Sequence, residues 1–232
     1  LNLQKLSLVL NNSSFWSRST HDLSFIKQFS KLESLNIQIN DHEVTSLDFL
    51  ADLHCLKEFY FAHKQFNIKE RPVLNLPNLT KIETIRFDLI DPPVLAIDNV
   101  RDFILNNQNL KSLDLNLSIQ NLGAICEGDN FYFPNLEKLS IHLDSVQKPY
   151  TEEAENIAQA LKRHHFIHKL QLTAEKSNAD LIDILLQGGL VHMKSLQDLT
   201  LKFKKAGGLK AEKFQSLKNI FENLVNLTSL EL

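Results

Sequence analysis

Apolar and polar residues alternate along the chain in a recurring pattern, L-x-x-L-x-L, in which x is mostly polar. Nine copies of this pattern begin at residues 3, 32, 56, 82, 110, 136, 167, 196 and 227, so that successive starts are 24 to 31 residues apart. The alternation predicts one short strand per copy, with the leucines on one side. Because a single strand cannot bury its leucines alone, the copies predict a stack of parallel strands around a continuous core.

The segments between these strands are long enough for helices, and several carry helix signals. Thr151 is a plausible N-cap followed by two glutamates, Ser177 precedes Asp180 by three residues, and Gly188 is a predicted stop. The apolar spacing predicts helices over 21–29, 98–107, 151–164, 177–189 and 211–224. The segment 67–78, with two prolines, is predicted to be irregular, and 122–133 allows one or two helical turns.

With these nine copies the chain resembles the leucine-rich repeat family, in its ribonuclease-inhibitor-like, intracellular subclass. The resemblance implies an α/β solenoid over 1–232 as one domain, with a curved parallel sheet on the concave side and helices on the convex side. The family's asparagine ladder, at L-x-x-L-x-L-x-x-N, is matched only by Asn11 and Asn40. We therefore expect irregular turns in the later copies. Neither end carries a polar cap, so we expect the chain to be part of a longer protein.

The polar x positions of neighbouring copies fall into columns on the concave face. Tyrosine and arginine, two residue types enriched in binding hot spots, occur there together with acidic residues. An ordinary solvated sheet face is the alternative interpretation. The predicted protein-binding residues are Tyr60, Arg86, Asp88, Asp114, Asn116 and His142.

Two further surface features are candidates for binding. A basic patch, alternatively a solvated helix flank, comprises Lys202, Lys204, Lys205, Lys210 and Lys213. Phe15 and Trp16 form a possible loop anchor, unless they pack over the first helix.

Metal chemistry finds little support in the sequence. His164 and His168 have a spacing that suits a metal on a continuous helix, but the helix is predicted to end near His165. A role at the helix dipole is the better hypothesis for His164 or His165.

Charge and composition indicate which kinds of partner and which cellular location to expect. A net charge of −3 gives no reason to expect nucleic acid as a direct ligand, and no apolar run approaches the roughly 20 residues that span a bilayer. Asn-x-Ser/Thr sites occur, Asn226 among them, but asparagine is common throughout the chain. Cys55 and Cys126 are predicted to lie beyond disulfide reach. We expect an intracellular, cytoplasmic protein without membrane insertion.

No phosphate-binding glycine loop, nucleophile triad or acid–base pair is present in the sequence, so we expect neither an enzyme nor a cofactor. The pattern favours a non-catalytic protein-binding scaffold, a subunit or adaptor of a larger intracellular complex. One alternative is the substrate-recognition module of a ubiquitin-ligase-type or immune-receptor-type protein. A weaker one is a GTPase-activating protein, for which Arg18 is the only candidate residue.

Overall fold

A computed structural model describes residues 2–11, 20–40, 43–44, 46–64, 76–77, 79–89, 97–143, 150–175, 179–204 and 211–232. The chain divides into two compact units, residues 1–110 and 111–232. Both units are α/β, and all their strand pairings are parallel.

The first unit is built mainly from strands joined by short connections. Its strands are β1 (Lys5–Asn11), β2 (Thr20–His21), β3 (Ser34–Asn40), β4 (Glu43–Val44), β5 (Glu58–Lys64) and β6 (Thr84–Leu89). Strands β1, β3, β5 and β6 neighbour one another in that order, and β2 pairs with β4. The described helices of this unit are two 3-10 helices, Ser24–Gln28 and Asp48–Asp52, and helix α1 (Ile97–Asn106).

The second unit alternates regularly between strand and helix. Its strands are β7 (Ser112–Leu117), β8 (Lys138–Leu143), β9 (Lys169–Glu175), β10 (Asp198–Lys204) and β11 (Ser229–Glu231), which neighbour one another in chain order. Its α-helices are α2 (Ile119–Cys126), α3 (Thr151–Arg163), α4 (Ala179–Gly188) and α5 (Ala211–Asn223). A 3-10 helix, Leu190–His192, follows α4.

The predicted strands are confirmed, copy by copy. In all nine copies a strand begins at the third residue of L-x-x-L-x-L. Residues at the same position of neighbouring copies are register partners, as Leu139, Leu170 and Leu199 are in the second unit. These three side chains are at most 2% exposed, so the apolar positions form the core. The polar positions 3, 5 and 7 consequently line up on the opposite side of the strands, here called the polar sheet face.

One backbone arrangement fixes this register. The carbonyl of the second residue in a copy accepts two hydrogen bonds, from the N–H groups of the second and third residues of the next copy. The Glu33 carbonyl, for example, accepts from Lys57 at 2.8 Å and from Glu58 at 3.0 Å. The same arrangement recurs at Gln4 and Lys57 in the first unit and at Lys111, Glu137, His168 and Gln197 in the second. A slip by one residue would break these bonds and turn the leucines outward.

In six of the eight intervals between copies, the described helix is longer where the interval is longer. Intervals of 24, 26, 28, 29, 31 and 31 residues contain helices of 5, 8, 10, 10, 13 and 13 residues, the shortest being a 3-10 helix. The first interval, 29 residues long, departs from this trend with a described 3-10 helix of five residues. The extra residues of the longer copies are therefore used mainly in the helices.

Several local predictions need correction. Helix α3 begins at Thr151, so Tyr150 occupies the cap position and makes no side-chain cap bond. The predicted helix over 21–29 is only the 3-10 helix Ser24–Gln28. Helix α4 does end at Gly188, as predicted. The capping residue Ser177 and most of the segment 67–78 lie outside the described residues.

The asparagine ladder is present where the sequence has it. The Asn40 side-chain amide donates to the Asn11 side-chain oxygen at 2.6 Å. At the same position of the fifth copy, Ser118 instead caps helix α2, its hydroxyl accepting from the Asn121 N–H at 3.3 Å. The ninth motif position therefore has a different structural role in this copy.

Candidate functional site

The polar sheet face of the second unit brings together three of the predicted binding residues. His142 Nε2 lies 3.2 Å from Asp114 Oδ1, and the two side chains are 25% and 21% exposed. His142 has two register partners, Asn116 on β7 and Thr173 on β9. Asp114, Asn116 and His142 therefore form one half-buried polar group across β7 and β8.

Two hydroxyl groups extend this polar group. Ser140, the register partner of Asp114, is only 1% exposed. The Thr173 hydroxyl oxygen is buried and has no hydrogen-bond partner within the described residues. A buried polar atom without a partner costs about 1–3 kcal/mol. The Thr173 hydroxyl is therefore a local cost to stability, and its burial keeps it from contacting a ligand.

The first unit carries the other three predicted residues. The Arg86 guanidinium carbon lies 4.6 Å from the centroid of the Tyr60 ring, a cation–π contact that holds the exposed arginine over the sheet. Asp88 is only 6% exposed. The prediction that Asp88 contributes to the exposed surface is therefore corrected, and binding by Tyr60 and Arg86 stays a prediction.

Strands β9, β10 and β11 of the second unit hold paired charges. Lys169 Nζ lies 2.9 Å from Asp198 Oδ2, and Lys202 Nζ lies 2.7 Å from Glu231 Oε1. The hydrogen bond to Asp198 raises the pKa of Lys169, and the hydrogen bond from Lys202 lowers the pKa of Glu231. Lys202, a member of the predicted basic patch, is therefore neutralised by a neighbour.

The rest of that patch and the predicted loop anchor remain predictions. The structure does not describe the side chains of Lys204 and Lys213, and Lys205, Lys210, Phe15, Trp16 and Arg18 lie outside the described residues.

A cavity of about 450 Å³ opens where strands β7 to β10 begin. Its lining residues come from the second and third positions of four neighbouring copies, and are called the lysine groove: Lys111, Ser112, Glu137, Lys138, His168, Lys169 and Gln197. The sequence alone did not single out this groove, although the third-position column contains Lys138 beside Lys169.

His164 is a core residue and carries no exposed charge. It is 0% exposed, its Nδ1 lies 2.7 Å from the Ala160 carbonyl, and its Nε2 accepts from the Phe133 N–H at 3.1 Å. Since a carbonyl can only accept, Nδ1 carries the proton. Burial lowers the pKa of His164, so the hypothesis of a cation at the helix dipole is wrong for this residue. The sequence contained a sign of this burial. His164 lies three residues before its copy of the motif, and at that position other copies carry the buried residues Leu53, Phe133, Met193 and Leu224.

An asparagine directly before the first leucine of a copy has a structural role in two copies, those that begin at residues 110 and 227. The Asn109 side-chain amide donates to the Thr80 carbonyl at 3.0 Å, and the Asn226 amide donates to the Lys194 carbonyl at 2.8 Å. Both bonds link one copy to the preceding one. Asn226 therefore has a role in holding neighbouring copies together.

The described ranges contain neither a candidate metal-binding cluster nor a candidate membrane-spanning helix. No group of three or more His, Cys, Asp or Glu side chains there could hold a metal ion. Both cysteines are described; Cys55 is exposed, Cys126 is buried, and neither is in a disulfide. No described helix has the length and apolar character needed to cross a membrane.

Comparison of the chain with models of known protein families gave no match, and comparison with curated proteins gave none either.

Proposed function

We propose that this chain is a non-catalytic protein-binding module that works through the polar sheet face of its second unit. The observation that carries the proposal is the half-buried group of Asp114, Asn116 and His142, which strand register aligns across β7 and β8. Polar groups held in fixed positions on an open sheet suit recognition of another protein's surface.

Rigid positioning supports the same proposal. Each strand of this face is held by backbone bonds to its neighbours, including the paired bonds to the Lys111, Glu137 and His168 carbonyls. A surface that is already ordered loses little conformational entropy on binding, so more of its contact energy appears as affinity.

The resemblance to leucine-rich repeat proteins is part of this proposal. The regular strand starts, the matching register and the Asn11–Asn40 bond support a solenoid of that type. Proteins of that type bind other proteins, and we propose a subunit or adaptor of an intracellular complex.

The test compares two double variants in affinity capture from the native source with quantitative mass spectrometry. Asp114→Ala with His142→Ala alters the polar sheet face, and Glu155→Ala with Lys162→Ala alters exposed positions of α3. We expect the face variant to lose a defined set of proteins at least about tenfold, and the helix variant to retain it.

Purified partner from that set is then titrated against both variants, each checked for an unchanged unfolding midpoint. Equal affinity of the two variants would exclude the polar sheet face as the binding surface.

A further inference from the structure

The lysine groove contains an unusual juxtaposition of charges. Lys138 and Lys169 are register partners on β8 and β9, where neighbouring strands lie about 4.8 Å apart. Within the strand pairings described for each unit, this is the only register pair of like charge. Like charges directly opposite each other are destabilising.

The neighbours of Lys138 and Lys169 relieve this repulsion only in part. Lys169 is paired with Asp198 at 2.9 Å and is 61% exposed. Lys138 lies between Ser112 and Lys169 in register, and it makes no ion pair within the described residues. The groove thus has one ammonium group already satisfied and a second, exposed one beside it.

The remaining lining groups favour an anion over a neutral ligand. Ser112 and Gln197 supply a hydroxyl and an amide, and His168 supplies a ring nitrogen. Glu137 is the one carboxylate among the seven lining residues. Because Asp198 already pairs with Lys169, the positive charge that a ligand would meet here is chiefly that of Lys138.

We infer that the lysine groove receives an acidic segment of a protein partner, with an Asp or Glu carboxylate seated at Lys138 beside Lys169. This inference rests on the proposed function and specifies the chemistry of the partner. A carboxylate there removes the repulsion between the two ammonium groups and can accept from Ser112 or Gln197. The cavity volume of about 450 Å³ is within the range of sites that enclose a small ligand or side chains.

Nucleic acid fits the groove less well. Its seven lining residues include no phenylalanine, tyrosine or tryptophan, the side chains on which single-stranded bases stack. The negative net charge of the chain also opposes a polyanion at long range. A short acidic stretch needs only the local positive charge.

The inference is tested with a fluorescently labelled decaglutamate peptide and fluorescence anisotropy at low salt, using the whole 232-residue chain. We expect salt-sensitive binding that weakens about tenfold in Lys138→Glu. Lys162→Glu makes the same charge change on α3, and we expect it to leave the affinity unchanged. Both lysines are exposed, so Lys162→Glu should keep the wild-type unfolding midpoint, and Lys138→Glu should keep or raise it because it removes the repulsion from Lys169.

A second variant makes the test independent of folding. Glu137→Gln removes the carboxylate of the groove, so we expect it to bind decaglutamate about threefold more tightly. A misfolded protein would not gain affinity.

Absence of binding to the wild-type chain, or equal affinity of wild type and Lys138→Glu, would overturn the inference. So would tighter binding of a ten-residue deoxythymidine oligonucleotide that Lys138→Glu abolishes, because the groove would then be a nucleic-acid site. If partner capture depends on Asp114 and His142 but not on Lys138, the proposed function stands and this inference fails.

Discussion

The two units use the same strand motif but join their strands differently. In the first unit, 3-10 helices of five residues follow β2 and β4, and the core contains a phenylalanine cluster of Phe59, Phe61, Phe87 and Phe103. In the second unit, α-helices of 8 to 13 residues separate strands whose buried positions are mainly leucine. The motif therefore sets the strands and their register, whereas the helical layer beside them differs between the units.

The comparison also bears on binding. Only the second unit has the polar group around His142 and the lysine groove, and both depend on register between neighbouring strands. The first unit offers Tyr60 and Arg86. The following four predictions test the difference between the units, from the largest expected effect to the smallest.

The aromatic core of the first unit should be the most sensitive to truncation. The Phe59 ring lies 5.8 to 6.3 Å, centroid to centroid, from the rings of Phe61, Phe87 and Phe103, and Phe59 is 1% exposed. We expect Phe59→Ala to lower the free energy of unfolding by about 4 kcal/mol, measured by urea denaturation. Phe25→Ala is the control, since Phe25 is 46% exposed, and its effect should be within about 1 kcal/mol. Similar costs for the two variants would contradict the proposed importance of the cluster.

The helices of the second unit should be sensitive to added volume where they pack most closely. A Cβ atom added at Gly123 in α2 would lie 2.5 Å from Glu153 Cβ and 2.8 Å from Glu153 Cα in α3. We expect Gly123→Ala to cost about 2 kcal/mol, because α3 backbone must move. Gly188→Ala, whose added atom would lie 3.1 Å from Ala158 Cβ, should cost less. A stabilising effect of Gly123→Ala in thermal unfolding would show that the two helices are not so close.

Acid should weaken the second unit through His164. Burial lowers the pKa of His164 in the folded state below the ordinary value of 6.5, so the unfolded chain binds the proton more readily. The stabilisation by the neutral ring is complete above pH 6.5 and decreases as the pH falls below it, by at most about 1.4 kcal/mol per pH unit.

Urea denaturation at pH 7.5, 6.5 and 5.5 checks this. His164→Leu should be less stable at pH 7.5, since the Phe133 N–H loses its acceptor, but its stability should depend less on pH. His165→Ala, at an exposed neighbouring residue, should keep the wild-type slope. Identical slopes for His164→Leu and wild type would exclude His164 as the titrating group.

Exchange of serine and asparagine at the ninth motif position should have different effects in the two units. Asn40 makes the ladder bond to Asn11 in the first unit, and Ser118 caps α2 in the second. Either residue changed to alanine should cost about 1 kcal/mol. Exchange separates the roles: Ser118→Asn should be nearly neutral, because asparagine is a good N-cap, whereas Asn40→Ser should lose the ladder bond. A neutral Asn40→Ser in thermal unfolding would mean that the ladder contributes nothing.

Much of the fold could be predicted from the sequence because the motif is periodic and strongly apolar. Strand starts followed directly from L-x-x-L-x-L, and the intervals between copies indicated where helices have room. Local details were less predictable. Residues 21–29 have enough apolar residues for a helix, but Leu23 and Ile26 are spaced by three and are buried by one 3-10 turn.

The site was predictable only as columns of residues. The sequence placed Asp114 and His142 on the same face, but their contact is diagonal between β7 and β8 and depends on register and rotamers. Asp88 occupies a polar column and is nevertheless buried. The lysine groove depends on four copies meeting at one edge of the strands, which a survey of single motifs does not reveal.

Site-specific photo-crosslinking tests the central claim most directly. A benzoylphenylalanine is placed at Gln171, which lies half-buried on the polar sheet face, or at Gln159, which is exposed on α3. Each chain is irradiated in extract of the native source. We predict a discrete adduct with another protein from position 171, lost when Asp114→Ala and His142→Ala are added, and none from position 159. An adduct from position 159 alone would contradict the claim that the polar sheet face of the second unit binds the partner.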